Sequence, residues 1–197
     1  MSRPPSFPPP LLSLERKLHV LVVAGLVAVA GCSASQSAPS RLPPGAVVLP
    51  YDAQGAYLFG DAIEPNAVGL LTSPSFQARQ LLAERTRQAH VVTRVRVQTV
   101  TSDIIHGEPR YQLTVTEIGP PFGSAGLPGG RAELDVGPQS PAFGIVKAHD
   151  ARLVGKSFIG FFRWFRGGEE PQLHWHLTSD DPETAAAIRE AALTSED

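Results

Sequence analysis

Only one cysteine occurs in the 197 residues, Cys32, and it closes an apolar run. A chain with a single thiol cannot staple itself internally with a disulfide, so its domain must hold on its apolar core. The run in front of it, Leu18 to Ala30, is apolar except for His19, and Glu15, Arg16 and Lys17 precede it with a net positive balance. A helix crossing the hydrocarbon of a bilayer needs about 20 apolar residues, and this run has 13. A basic flank, a short apolar stretch and small residues at its end are the layout of a signal peptide.

The closing residues Val29-Ala30-Gly31-Cys32 resemble the lipobox of bacterial lipoproteins. That resemblance implies that residues 1–31 are removed as a lipoprotein-type signal peptide by cleavage between Gly31 and Cys32. It implies that Cys32 carries a thioether-linked diacylglycerol and that the new amino group takes a further acyl chain such as palmitate. Two or more buried chains anchor a protein stably where one holds it marginally, since each methylene contributes about 0.8 kcal/mol. The implied partner is therefore a membrane, and the implied location is the cell envelope. Ser33 follows the cysteine in place of the aspartate that commonly retains lipoproteins at the inner membrane. In a cell with two membranes the outer one is the expectation.

Residues 32–45 are expected to be the lipidated cysteine and a flexible tether. Ser33 to Gly45 has almost no apolar content and several serines and prolines, a composition that favours open chain. Without residues 1–31 the chain keeps 14 basic and 18 acidic side chains, a net charge of about −4. A nucleic-acid partner, which asks for a basic patch or stripe, is not expected.

Residues 46–197 are expected to form one globular α+β domain, with a mostly antiparallel β-sheet and about two helices. The first helix spans Phe76 to Arg87, after a cap at Ser73-Pro74-Ser75. The second runs from the capping segment Asp180-Asp181-Pro182-Glu183 to about Leu193. Strands are expected at Ala46–Leu49, Ala56–Phe59, His90–Thr101, Tyr111–Thr116, Arg131–Val136, Ala142–Ala148, Ser157–Arg166 and around Leu173–Leu177. Ser157–Arg166 is apolar on both faces and reads as a central strand. Asp103 to Pro109 reads as a longer hairpin loop, and Gly119 to Gly130 as a breaker-rich surface loop.

Two stretches are candidates for chemistry. His174 and His176 stand two apart on a strand, which puts both imidazoles on one face with alpha carbons about 6.6–6.8 Å apart, a separation that zinc can bridge. Further ligands would have to come from His149, His106, Asp150 or the Asp180–Asp181 pair. The plainer expectation is two polar residues on the outer face of a strand that packs Leu173, Trp175 and Leu177 inward. The second stretch, Phe158 to Arg166, is dense in aromatics, and Phe161, Arg163, Trp164 and Arg166 there could serve a ligand or a partner. The competing expectation is a core strand. Gly155-Lys156-Ser157 lacks the earlier glycine of a phosphate-binding loop, having Asp150 at that position. The sequence thus favours a non-catalytic binding or scaffolding protein without a cofactor, and a metal-dependent envelope enzyme using His174 and His176 is the alternative.

Overall fold

The structure, a computed structural model, describes residues 42–70 and 76–194. The signal segment, Gly31, Cys32, most of the tether and the Ser73-Pro74-Ser75 cap lie outside the described residues. In chain order the elements are β1 (Leu49–Pro50), α1 (Ala53–Leu58), β2 (Ala62–Ile63), α2 (Phe76–Gln88), β3 (Val91–Ile105) and β4 (Glu108–Glu117). They continue with β5 (Arg131–Val136), α3 (Phe143–Leu153), β6 (Ser157–Gly167), β7 (Glu170–Ser179) and α4 (Pro182–Leu193). The domain is α+β, with one mixed sheet in the order β2-β7-β6-β3-β4-β5.

The four long pairings, β3 with β4 and β6, β4 with β5, and β6 with β7, are all antiparallel. Two-residue strands β1 and β2 add parallel to β6 and β7. The sheet curls until β5 touches β7. Inside the curl, Val95 and Val97 of β3, Leu113 of β4, Leu134 of β5 and Phe158, Phe162 and Trp164 of β6 form one core, which α3 covers with Val146 and Leu153. On the other face, Val92, Ile159, Phe161 and Phe165 meet Leu58 and Phe59 around α1, Leu82 of α2, and Ala185 and Ile188 of α4. Strand β6 alternates its rings into both cores, as its two apolar faces require.

Four elements depart from the sequence reading. Ala56–Leu58 is helical and Phe59 is the C-cap, because Asp52 caps the turn by accepting the Gly55 N–H at 2.7 Å, which starts a helix three residues before the apolar run. Ala46–Leu49 supplies only Leu49 to a strand, β1. Ala142–Ala148 supplies the N-cap and the first part of α3, where Ala142 and Val146 are buried one turn apart, and Leu153, past the kink at His149, is buried as well. Its helix also covers the inner face, so helices lie on both sides of the sheet. The Asp103–Pro109 loop shrinks to His106-Gly107, whose φ values of 54° and 83° suit a two-residue hairpin turn. The ribbon therefore runs to Ile105 and resumes at Glu108, and Pro109 is tolerated because β5 joins β4 only from Tyr111.

Elsewhere the elements fall as the sequence implies. Helix α2 runs through Phe76–Gln88, the span the sequence implies to within one residue at its C-terminal end. Helix α4 is capped by Asp181, accepting the Thr184 N–H at 2.8 Å with Pro182 at its first turn. Arg79 and Glu183, 3.2 Å apart, bridge α2 to α4. No helix among the described residues is long and apolar enough to cross a membrane.

Candidate functional site

The polar residues with the most unusual surroundings lie where β2 docks on β7. The four residues Asp61-Ala62-Ile63-Glu64 run alongside β7, with Ala62 opposite His176 and Ile63 opposite Leu177, and the Glu64 N–H donates to Leu177 O at 2.9 Å. Asp61 sits in the left-handed region at φ 54°, which aspartate tolerates better than most residues. That conformation aims its carboxylate along β7. One oxygen lies 3.0 Å from His174 Nδ1, and the other accepts the Trp175 N–H at 3.3 Å.

Glu64 faces the next imidazole. Its Oε1 is 3.1 Å from His176 Nε2 and 3.4 Å from Arg85 of α2, and its Oε2 accepts the Thr178 hydroxyl at 2.6 Å. Arg85 donates through Nε to Leu58 O at 2.9 Å, which ties α1, α2, β2 and β7 together around one carboxylate. Arg85 and His176 are 7% and 5% exposed, so this is charge held inside the protein.

Burial pushes the His176 imidazole below its ordinary range, against the opposing pull of its hydrogen bond to Glu64. Burial also pulls Arg85 down, opposed by Glu64. For Glu64, burial acts upward, but the hydrogen bonds from His176 and Thr178 and the nearby positive charge outweigh it and hold the carboxyl below its usual value. The consistent state is a neutral His176 donating Nε2–H to an ionised Glu64, with Arg85 supplying the compensating charge. Tyr51 stacks flat on His174, centroids 3.8 Å apart and planes 6° apart. Its hydroxyl is raised by burial and then by Asp61.

The expected pair is thus on one face of β7, but that face is not open to solvent. Helices α1 and α2 cover it, and the alternation in β7 separates two packed faces. His174 and His176 each engage a different carboxylate. The other expected ligands lie apart: Asp180 pairs with Arg94 at 2.8 Å, Asp181 caps α4, Asp150 accepts the Ala151 N–H in α3, His149 sits at the kink of α3, and His106 turns the β3–β4 hairpin. Among the described residues no group of three or more His, Cys, Asp or Glu is arranged to hold a metal.

Phe161, Arg163, Trp164 and Arg166 do not form an exposed patch. Phe161 and Trp164 are fully buried on opposite faces of the sheet. Arg163 donates to Gln88 O at 2.5 Å and lies over the rings of Phe165 and Phe59. Arg166 alone is exposed. His90 completes this region: its Nδ1 accepts the Trp164 backbone N–H at 3.2 Å, so its Nε2 carries the proton donated to Val47 O at 3.1 Å. Burial pushes this imidazole down too.

Asp61, Glu64, Arg85, Thr178 and Tyr51 are the residues that spacing could not single out. Asp61 and Glu64 precede their histidines by more than 110 positions, and no periodicity links a two-residue strand to its neighbour. An arginine on the apolar side of a predicted helix, Arg85 beside Leu81 and Leu82, was the one available signal of a buried charge. No family model, curated protein or solved structure matches this chain.

Proposed function

We propose that this chain is a lipid-anchored cell-envelope protein whose domain binds or scaffolds rather than catalyses. The observation that carries the reading is Val29-Ala30-Gly31-Cys32 at the end of a short apolar run with a basic flank. Diacylglycerol on Cys32 and a second acyl group on its amino nitrogen supply stable attachment, and Ser33 favours the outer membrane in a cell that has two. The ionisable residues around β2 and β7 support a structural role for that region. Each has a named partner within the fold, and their arrangement fastens elements together without presenting a nucleophile, a base and an open cleft in mutual reach.

Metabolic labelling with palmitate and mass spectrometry of the mature N-terminus test the reading. Label incorporated into the wild type, an acylated N-terminal Cys32, and loss of both in Cys32→Ser are the expected results. A Cys32→Ser protein that is processed normally and stays with the membrane overturns it.

A further inference from the structure

We propose that the arm from Leu42 to Tyr57 is the surface with which the domain rests on a lipid bilayer, a proposal that builds on the acylation of Cys32. Ten large hydrophobic side chains are exposed among the described residues, and five of them, Leu42, Val47, Leu49, Tyr51 and Tyr57, fall in this arm. Scattered exposed apolar residues are ordinary, but here half of them are concentrated in one segment of 16 consecutive positions. The arm has one charged residue, Asp52, and its carboxylate is turned onto the Gly55 N–H as the cap of α1. Tyr57, 64% exposed, has the apolar body and polar tip that suit the headgroup level of a bilayer, while Tyr51 offers only an outer edge, its ring stacked on His174 and its hydroxyl donating to Phe59 O. The cation beside the patch, Arg166, is exposed and stands opposite Pro50 in the β1–β6 pairing, where anionic headgroups would meet it.

The position of the patch along the chain commits it to lipid. Leu42 lies ten residue steps after Cys32, a reach of at most about 35 Å when fully extended. The start of the arm can never be farther from the bilayer than that. Holding a weak apolar surface so close to its ligand makes the contact effectively intramolecular, so a patch too small to recruit a free protein is occupied in an anchored one. The other exposed apolar pair, Ile104 and Ile105, sits at the tip of the β3–β4 ribbon between Asp103 and Glu108. Carboxylates on both sides suit water better than an anionic bilayer, so the ribbon tip provides the control position.

The test uses the full-length acylated protein in vesicles of phosphatidylethanolamine and phosphatidylglycerol that carry a nitroxide-labelled lipid. With the Cys32 sulfur in a thioether, a cysteine placed by Tyr57→Cys, Val47→Cys or Ile104→Cys is the sole thiol and takes an environment-sensitive fluorophore. Fluorophores at positions 57 and 47 are expected to be quenched several-fold more than one at 104. Adding Val47→Ser and Leu49→Ser to the Tyr57→Cys protein is expected to remove most of that quenching while the protein still pellets with the vesicles. Equal quenching at 57, 47 and 104 in a protein whose acylation is confirmed by mass overturns the docking surface and leaves the anchor standing. An unacylated Cys32, seen by mass and by its own uptake of the fluorophore, overturns both.

Discussion

Glu64 and His176 meet at 3.1 Å on a protein-covered edge of the sheet, and Arg85 reaches the same carboxylate oxygen at 3.4 Å from helix α2. The carboxylate is therefore the one anion between a buried cation and a buried imidazole. Removing it by Glu64→Ala leaves Arg85 without compensation in a site that is nearly closed to water. A loss of about 3 kcal/mol in unfolding free energy is expected, the low end of the range for breaking a buried pair because Glu64 keeps some exposure. Glu64→Gln keeps an oxygen to accept from His176, and its amide NH2 can donate to the Thr178 hydroxyl once that group turns to accept, so it should lose less. Urea denaturation of both variants measures this, and equal midpoints for wild type and Glu64→Ala would mean that Arg85 finds water instead.

Acid should loosen the fold in two stages. The unfolded chain protonates His90 and His176 near their ordinary value of 6.5, whereas the native chain holds both lower. Below about pH 6.5 the unfolded state thus binds more protons, and stability falls as pH falls until the native imidazoles also protonate. Glu64 is depressed below its ordinary 4.5, so its contribution is present above that value and is lost as pH falls further. Urea midpoints at pH 8, 6 and 5 should decline in that order, and the step between 8 and 5 should shrink in His90→Gln. A flat profile from pH 8 to 5 contradicts the neutral imidazoles.

Two glycines in helices should respond oppositely to alanine. A Cβ on Gly55 would meet the Phe165 ring at 2.8 and 3.0 Å and Tyr51 at 3.3 Å, and the ring is itself packed in the core. Gly55→Ala is expected to cost about 1–3 kcal/mol by forcing α1 off the sheet. Gly144 in α3 has nothing within 4 Å of the same position, so Gly144→Ala should stabilise by about 0.5–1 kcal/mol through the unfolded chain's lost freedom. Thermal unfolding of the two variants side by side separates these effects.

His174→Ala with His176→Ala removes one hydrogen-bonding partner each from Asp61 and Glu64 and takes the ring away from under Tyr51. The expected outcome is an unfolding free energy lower by about 1–3 kcal/mol, with Asp61 and Glu64 keeping their bonds from Trp175, Thr178 and Arg85, and no change in bound metal in protein purified without a histidine tag. Stoichiometric zinc in the wild type that disappears in the double variant would restore the metal-dependent reading.

Much of the sheet was legible because its strands obey local periodicity. Val91, Val95 and Val97 alternate against Arg94 and Arg96, and Phe158 to Phe165 is apolar on both sides, so burial follows from the pattern alone. Helix α4 was legible from its proline and its acidic cap. Helix α3 was not, since Ala142, Phe143, Ile145 and Val146 form a short apolar run that periodicity alone does not tell from a strand. The site was half legible. His174 and His176 share a face by the two-residue repeat, but Asp61 depends on a left-handed backbone and Glu64 on a two-residue strand, and neither has a local signature. For the aromatic run the core-strand expectation holds and the ligand-surface alternative does not: alternation says which residues share a side, and the tertiary fold covers both sides of Phe158 to Phe165.

Strand β6 places Phe158, Phe162 and Trp164 in one core and Ile159, Phe161 and Phe165 in the other. Neither half of the domain can therefore open alone. Withdrawing the strand to expose one set of rings strips the other set from its neighbours, and both losses fall on the same event. Amides of β6 should exchange with solvent at the slowest rate in the protein, and the two layers should melt in a single cooperative step, joined by one continuous backbone.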